Sequence, residues 1–230
     1  MSTHDAGHAA GHDHQHGSGT PLRHEHGYAL RDDESVWDAR YSETDRIWSG
    51  EPNHGLTVEA AALVPGRALD VGCGEGADAV WLATRGWSVT AIDPSGVALE
   101  RARRAAGERR VEVTWLRGGL GEVELPDAGF DLVSVFYPAI SLDIDPVAQL
   151  AALVAPGGTL LVVHHADVDR ERAIAHGFDP DTLLAPKDVA AGLREADGWE
   201  VLEERRPRLI SGGAGAHHAD DLVVRATRTA

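Results

Sequence analysis

The chain is poor in several residue types that would announce a function. It has one cysteine, Cys73, among 230 residues, which excludes an internal disulfide and a cysteine-built zinc cluster. Lysine occurs once, at Lys187, and arginine supplies every other basic side chain. That pattern reads as a bias of codon composition rather than as chemistry. No apolar run approaches the ~18 residues that span a bilayer, and the N-terminus lacks the basic-then-apolar pattern of a secretory signal. A cytoplasmic protein without membrane contact is therefore expected. Positive charge is also short, with 21 Lys and Arg against 37 Asp and Glu and a formal charge of −16. This argues against a phosphate backbone as partner and favours small cationic ligands, so no nucleic-acid partner is expected.

What is present falls into two parts. Residues 1 to about 26 carry seven of the thirteen histidines (His4, His8, His12, His14, His16, His24 and His26) among Gly, Ala and Asp. With almost no large apolar side chain, this segment cannot offset its own ordering entropy, and a disordered, solvated tail is expected. Spacings such as His12-x-His14-x-His16 allow weak transition-metal affinity, which leaves a metal-handling role as the alternative.

From Ser35 onward, apolar strand-like runs alternate with helical patterns, the signature of an α/β fold with a mostly parallel, doubly wound sheet. Strands are expected at Arg67 to Val71, Ser88 to Ile92, Val111 to Leu116, Phe130 to Phe136, Thr159 to Val163, Trp199 to Glu204 and Asp221 to Thr227. Helices are expected at Gly76 to Arg85, Ser95 to Ala106 with Ser95 as N-cap, Ala148 to Val154 and Lys187 to Ala196. The glycine-rich Pro207 to Ala219 is too short for a crossover helix, so the last two strands should form an antiparallel hairpin.

The strongest chemical signal is Leu69-Asp70-Val71-Gly72-Cys73-Gly74-Glu75-Gly76, between a buried strand and a helix. Glycines there let the backbone approach a ligand, and the helix start offers free N–H groups. Gly72-x-Gly74-x-x-Ala77 also matches the dinucleotide fingerprint, which keeps an NAD(P)-linked oxidoreductase as an alternative. Against it, Asp70 is placed to receive an ammonium rather than a pyrophosphate, and some forty residues precede the motif. Asp93, closing the second strand, suits ribose hydroxyls in either fold.

In this order, LDVGCGEG, AIDPS, FDLVSVFY and APGGTLLVV resemble the motifs of class I S-adenosylmethionine-dependent methyltransferases, a likeness covering about Ser35 to Arg228. WDARYSETDRIWSGEPN resembles the lid helix of the small-molecule enzymes related to the tellurite-resistance and thiopurine methyltransferases. The resemblance implies a Rossmann-like seven-stranded sheet and three regions: a His-rich tail at 1–26, N-terminal lid helices at 27–66 and a cofactor-binding domain at 67–230. It implies S-adenosylmethionine as cofactor, with Gly72, Gly74 and Gly76 lining its methionine part, Asp70 near the amino group and Asp93 at the ribose. Pro94 and Ser95 would border the adenine. The acidic residue that many relatives carry after the third strand is missing from Leu116-Arg117-Gly118-Gly119-Leu120, so Gly119 and Leu120 would meet the adenine without it.

Trp37, Tyr41 and Trp48 could enclose the sulfonium by cation–π and apolar contact, or could simply staple an N-terminal helix to the sheet. Arg40 could meet a substrate anion or make a surface ion pair. Methyl transfer is an in-line displacement that needs a base only for a protonated nucleophile. Candidates beyond the strand ends are Phe136, Tyr137 and Ser141, then His164 and His165, then His217, His218 and Asp220. His164 and His217 are the expected bases, and convergence of the two histidine pairs on one cleft would also permit metal binding. Cys73 reads as a small loop residue rather than a nucleophile. The arginines at 101, 103, 104, 205, 206 and 208 read as solvated faces. The insertion from Ala166 to Ala185, with His176, Phe178 and Asp179, is expected to shape the acceptor pocket. The expected activity is methyl transfer to a small molecule at O, N, S or a chalcogen, by a monomer or homodimer. A metal sensor or chaperone using the tail is the non-enzymatic alternative.

Overall fold

The structure is a computed structural model that describes residues 34–126, 129–175, 177–209 and 218–229. The His-rich tail and His217 lie outside the described residues, as does His176. Seven strands form one sheet: β1 (Arg67–Val71), β2 (Ser88–Asp93), β3 (Thr114–Arg117), β4 (Phe130–Phe136), β5 (Val154–His165), β6 (Trp199–Pro207) and β7 (Asp220–Arg228). Their order is β3-β2-β1-β4-β5-β7-β6. The first five are parallel, and β7 runs antiparallel to both β5 and β6.

Both faces are covered, which is why β1, β4 and β5 read as continuous apolar runs rather than alternating ones. On one face, α2 (His54–Glu59) and α3 (Ala77–Thr84) bury Leu56, Ala79 and Leu82 with Leu132, Leu161 and Val163. On the other, α5 (Pro146–Leu153) and α7 (Pro186–Glu195) bury Leu150, Val189 and Leu193 with Val133, Val135, Leu160 and Val162. Each fully buried leucine contributes about 1.5–3 kcal/mol relative to exposure. Two further helices, α1 (Glu34–Ser42) and α4 (Gly96–Arg109), lie against one another. A short α6 (Arg170–Ala175) and a 3-10 turn at Pro180–Thr182 occupy the insertion.

Several boundaries differ from the sequence expectation for local reasons. β3 starts at Thr114 because α4 runs on past Ala106. It closes at Arg110 in the left-handed region, where the Val111 N–H returns to Ala106 O at 3.1 Å. β5 begins at Val154 instead of Thr159, because Val154 pairs with Phe130 before a register shift admits the Pro156-Gly157 turn. α5 begins at Pro146, capped by Asp145 accepting from the Ala148 N–H. The hairpin ladder carries β6 to Pro207 and β7 to Arg228.

The sheet order places the change of winding direction between β1 and β4. The helix after β1 packs on one face and the helix after β4 on the other, leaving a crevice outside the strand carboxyl ends where open α/β sheets bind ligands.

Candidate active site

Three carboxylates meet at this crevice. Asp70, next to last in β1, is buried, with Oδ1 accepting from Ser134 Oγ at 3.2 Å and Oδ2 without a hydrogen-bond partner among the described residues. Burial raises its pKa well above the carboxylate range, and nearby Asp78 and Asp93 add to the rise. Asp78, in the first turn of α3, accepts from the Asn53 backbone N–H at 2.7 Å and from Asn53 Nδ2 at 2.8 Å. Burial lifts it to about 6. Asp93 ends β2 and braces the glycine turn, accepting from Gly74 N at 2.8 Å and Ser95 N at 2.8 Å. Burial lifts Asp93 to about 6 even though those two N–H groups favour its charged form. A buried carboxylate oxygen without a donor is costly, so a cationic donor suits this place.

The three glycines of the turn differ in what surrounds them. A Cβ on Gly72 would meet nothing within 4 Å, so open space faces that residue. A Cβ on Gly74 would lie 2.8 Å from Tyr41 Oη, so Tyr41 packs directly on that point. Gly76 is held by packing instead, since its Cβ would lie 2.6 Å from Ala102 Cβ and 2.8 Å from Trp115 Cη2. Cys73 packs partly buried beside the turn. Burial, together with Asp93 and Asp70, pushes its thiol up, so it stays protonated.

The segment expected to act as a lid is described from α1 onward. Tyr41 is buried, and Trp48 Nε1 donates to its hydroxyl at 3.0 Å. Burial raises the Tyr41 pKa, keeping it a neutral phenol. Trp37 sits one turn earlier in α1, its ring 6.3 Å from Tyr41 and 5.9 Å from Phe178 of the insertion. The Arg40 guanidinium lies 5.6 Å from the Trp37 ring and 5.5 Å from the Phe178 ring, a cation–π cluster. Asp179 pairs with Arg170. Sequence reasoning did not identify the groups that tie the lid down. Glu75, inside the glycine turn, accepts from the Ile47 and Trp48 backbone N–H groups, and Arg101 bonds Glu75, Tyr41 O and Thr44 O. Asp38 accepts from Ser95 Oγ at 2.7 Å and Val97 N at 3.2 Å. Burial alone would raise the Asp38 carboxyl, but Ser95, Val97 and Arg117 outweigh it and hold it low. Arg101 is therefore a strut, not a solvated residue. Likewise Arg206 pairs with the buried Glu59, and Arg208 bonds Tyr137. An acidic residue set among turn glycines was the one available signal for Glu75.

Beyond β2, where the resemblance puts the adenine, the Pro94 carbonyl accepts from Arg117 Nε at 3.2 Å, and Ser95 caps α4 through the Ala98 N–H. Gly119 N donates to Glu122 at 2.7 Å, and Leu120 is buried in the core on the α5 face.

Beyond β4, Phe136 is buried against Gly55 of α2. Tyr137 adopts φ 50°, a strained position for a side chain other than glycine, and turns toward β5 and β7. There its hydroxyl donates to Asp221 at 2.8 Å. Tyr137, Asp221, His54 and Arg208 border a cavity of about 310 Å³ whose other walls include Val58 and Val163. Ser141 caps a 3-10 turn, and Asp220 pairs with Arg205. His164 is pushed down to about 4 by burial and by His165, which makes it a poor proton acceptor near neutrality. His165 and His218 do converge, their rings stacked 3.7 Å apart. Among the described residues no group of three His, Cys, Asp or Glu side chains is placed to hold a metal ion, and no helix is long and apolar enough to cross a membrane.

Comparison with known proteins agrees with this arrangement. A family model described as a methyltransferase domain matches residues 68–158. An uncharacterized methyltransferase of Mycobacterium tuberculosis is 34% identical over 122 residues, 52% of this chain and 61% of that protein. The chain thus spans about three-fifths of that relative's length. The 27-O-demethylrifamycin SV methyltransferase of Amycolatopsis mediterranei is 30% identical over 197 residues, 70% of this chain and 71% of that one. In fold, the chain is similar to the N-methyltransferase NodS of Bradyrhizobium japonicum in complex with S-adenosyl-L-homocysteine. The TM-score is 0.61 at 20% identity, covering 86% of this chain and 99% of that one.

Proposed function

Because the chain belongs to the class I S-adenosylmethionine-dependent methyltransferases, we propose that it transfers a methyl group from S-adenosylmethionine to a small-molecule nucleophile. The bound cofactor supplies an electrophilic methyl carbon on a sulfonium, and the protein's residues do the rest. Asp70 Oδ2, buried and without a hydrogen-bond partner among the described residues, takes the ammonium group. Asp93 takes the ribose hydroxyls with the lone pairs its two backbone N–H partners leave. The open space at Gly72 admits the methionine part, and Pro94, Ser95, Gly119 and Leu120 border the base. Tyr41 and Trp48 shut water out above the turn, and Phe136 and Tyr137 bound the crevice on the β4 side. Alignment in a dry site supplies most of the acceleration of such a displacement.

The observation that carries this reading is the trio of buried carboxylates, one with an orphaned oxygen, beneath an aromatic lid. The same trio opposes the dinucleotide alternative, since a pyrophosphate would face three acidic groups. Calorimetry tests it directly: micromolar binding of S-adenosylhomocysteine with no response to NADH is expected, and the reverse overturns it. The acceptor is read as a small molecule because a formal charge of −16 disfavours a polyanionic partner. An acceptor panel read by homocysteine release tests that choice. The narrower likeness to tellurite-resistance and thiopurine enzymes rests on the lid sequence alone.

A further inference from the structure

Asn53 stands where the N-terminal segment meets the acidic trio. It immediately precedes α2, and its carbonyl accepts from the Thr57 N–H at 3.1 Å. Asparagine is a preferred residue there because its side-chain oxygen accepts from the first free N–H groups of a helix. The Asn53 side chain makes no such bond. It turns instead to Asp78, 25 positions along the chain, where Nδ2 donates to Oδ2 at 2.8 Å and the backbone N–H donates to Oδ1 at 2.7 Å. One residue thus engages both Asp78 oxygens.

Asn53 is itself held on either side. Before it, Glu75 accepts from the Ile47 and Trp48 N–H groups. At the far end of α2, the buried Glu59 pairs with Arg206 and Arg225 of the hairpin. The two donors are therefore preorganised on Asp78.

The charges around Asp78 show what those donors do. Asp70 of β1 feels the charge of both Asp78 and Asp93 of β2, while Cys73 stays a neutral thiol. Glu75 of the turn is paired with Arg101, and Asp38, which faces Asp93, is paired with Arg117. Buried acids that repel one another relieve the repulsion by keeping a proton, which removes a negative charge from the place where a cation is to bind. An N–H donor on each oxygen favours the ionised form and opposes that outcome. We propose that Asn53 is a positioning residue for the cofactor's ammonium group: it fixes Asp78 as a bare carboxylate near Asp70, so that the pair presents its charge to the incoming cation. This rests on the methyl-transfer reading, in which Asp70 Oδ2 takes that group.

The test is calorimetric titration of the full chain with S-adenosylmethionine from pH 5.5 to 8. The wild-type rise in affinity is centred near pH 6, where burial puts Asp78. Asn53→Ala removes one donor and leaves the backbone N–H. One hydrogen bond to a charged group corresponds to about a decade in Asp78 ionisation, so the midpoint should move up by about one pH unit. Binding should then be about tenfold weaker than wild type below pH 6 and nearly equal to it at pH 8, which also shows that the variant is folded. Asn53→Gly, a substitution that a helix cap tolerates, should move the midpoint by the same amount. In an Asp78→Asn background neither substitution should move it further. A midpoint that stays in place in both variants, whether affinity falls equally at every pH or not at all, overturns the assignment, because loss of packing alone has no such pH signature. A shift that persists in the Asp78→Asn background overturns it too. Wild type that fails to bind S-adenosylmethionine at any pH overturns the methyl-transfer reading and this proposal with it, whereas an unmoved midpoint with wild-type binding intact overturns this proposal alone.

Discussion

Glu75 and Trp48 are joined by one hydrogen bond, the Trp48 backbone N–H donating to Glu75 Oε2 at 3.0 Å. The glycine turn therefore also carries the anchor of the segment that packs above it. Glu75 is nearly buried, and Arg101 completes the tie. A hydrogen bond to a charged group contributes about 1.5–3 kcal/mol, and a decade of affinity is about 1.4 kcal/mol. Glu75→Ala is expected to weaken S-adenosylhomocysteine binding about tenfold and to speed amide exchange in residues 41–48, with little change in exchange of the central strands. Unaltered exchange in 41–48 would show that the flap is held by other means.

Gly72 and Gly76 lie four residues apart, both with positive φ, yet substitution should separate them. Alanine at either costs about 1–2 kcal/mol for the left-handed backbone. At Gly76 the added methyl also enters Ala102 and Trp115, an overpacking cost of about 1–3 kcal/mol more. At Gly72 it enters open space. Gly76→Ala should therefore lower the melting temperature the more of the two. Gly72→Ala should stay folded and lose cofactor affinity, because its methyl occupies the ligand's volume. Thermal scans with and without S-adenosylhomocysteine measure both, and equal ligand-induced shifts in wild type and Gly72→Ala would contradict the placement.

Removal of residues 1–26 separates the enzymatic from the metal-sensing alternative. Deletion should leave S-adenosylhomocysteine binding and homocysteine release from an active acceptor unchanged, since the described groups of the cradle and of the segment above it lie from Trp37 onward. Loss of turnover in the truncated chain, restored by adding the tail in trans, would give the histidines a functional share.

What the sequence made legible follows from range. β1 and β4 match to the residue because their apolar runs end at glycine or aromatic boundaries, and Ser95 caps α4 because capping is local. The glycine turn and the carboxylates at Asp70 and Asp93 were likewise visible as a motif. Partnerships across distant segments were not. Arg101 reaches Tyr41 across 60 positions and Arg206 reaches Glu59 across 147, so both looked like members of solvated charge runs. His164 and His165 are adjacent and alike in composition. Only the strand's alternation, which gives the Asp221 contact to His165, tells them apart.

The three raised carboxylates make cofactor affinity depend on pH, and the sign is fixed by burial. Asp78 and Asp93 titrate at about 6 and Asp70 higher than its ordinary range, so the free folded chain holds protons that the unfolded chain has released. Between the ordinary carboxylate pKa of about 4 and these raised values, folded stability contributed by this trio falls as pH rises, because the native state binds more protons. A cationic ligand reverses the preference by favouring the ionised forms. S-adenosylmethionine affinity should thus rise across the window around pH 6 in which Asp78 and Asp93 ionise, with protons released on binding within that window. Calorimetry in buffers of different ionisation enthalpy counts those protons. Sinefungin, whose side-chain amine replaces the sulfonium, should follow the same profile, and S-adenosylhomocysteine, which keeps only the ammonium, should show a shallower one. Affinities for all three that are flat across the window would remove the acidic trio from cofactor recognition.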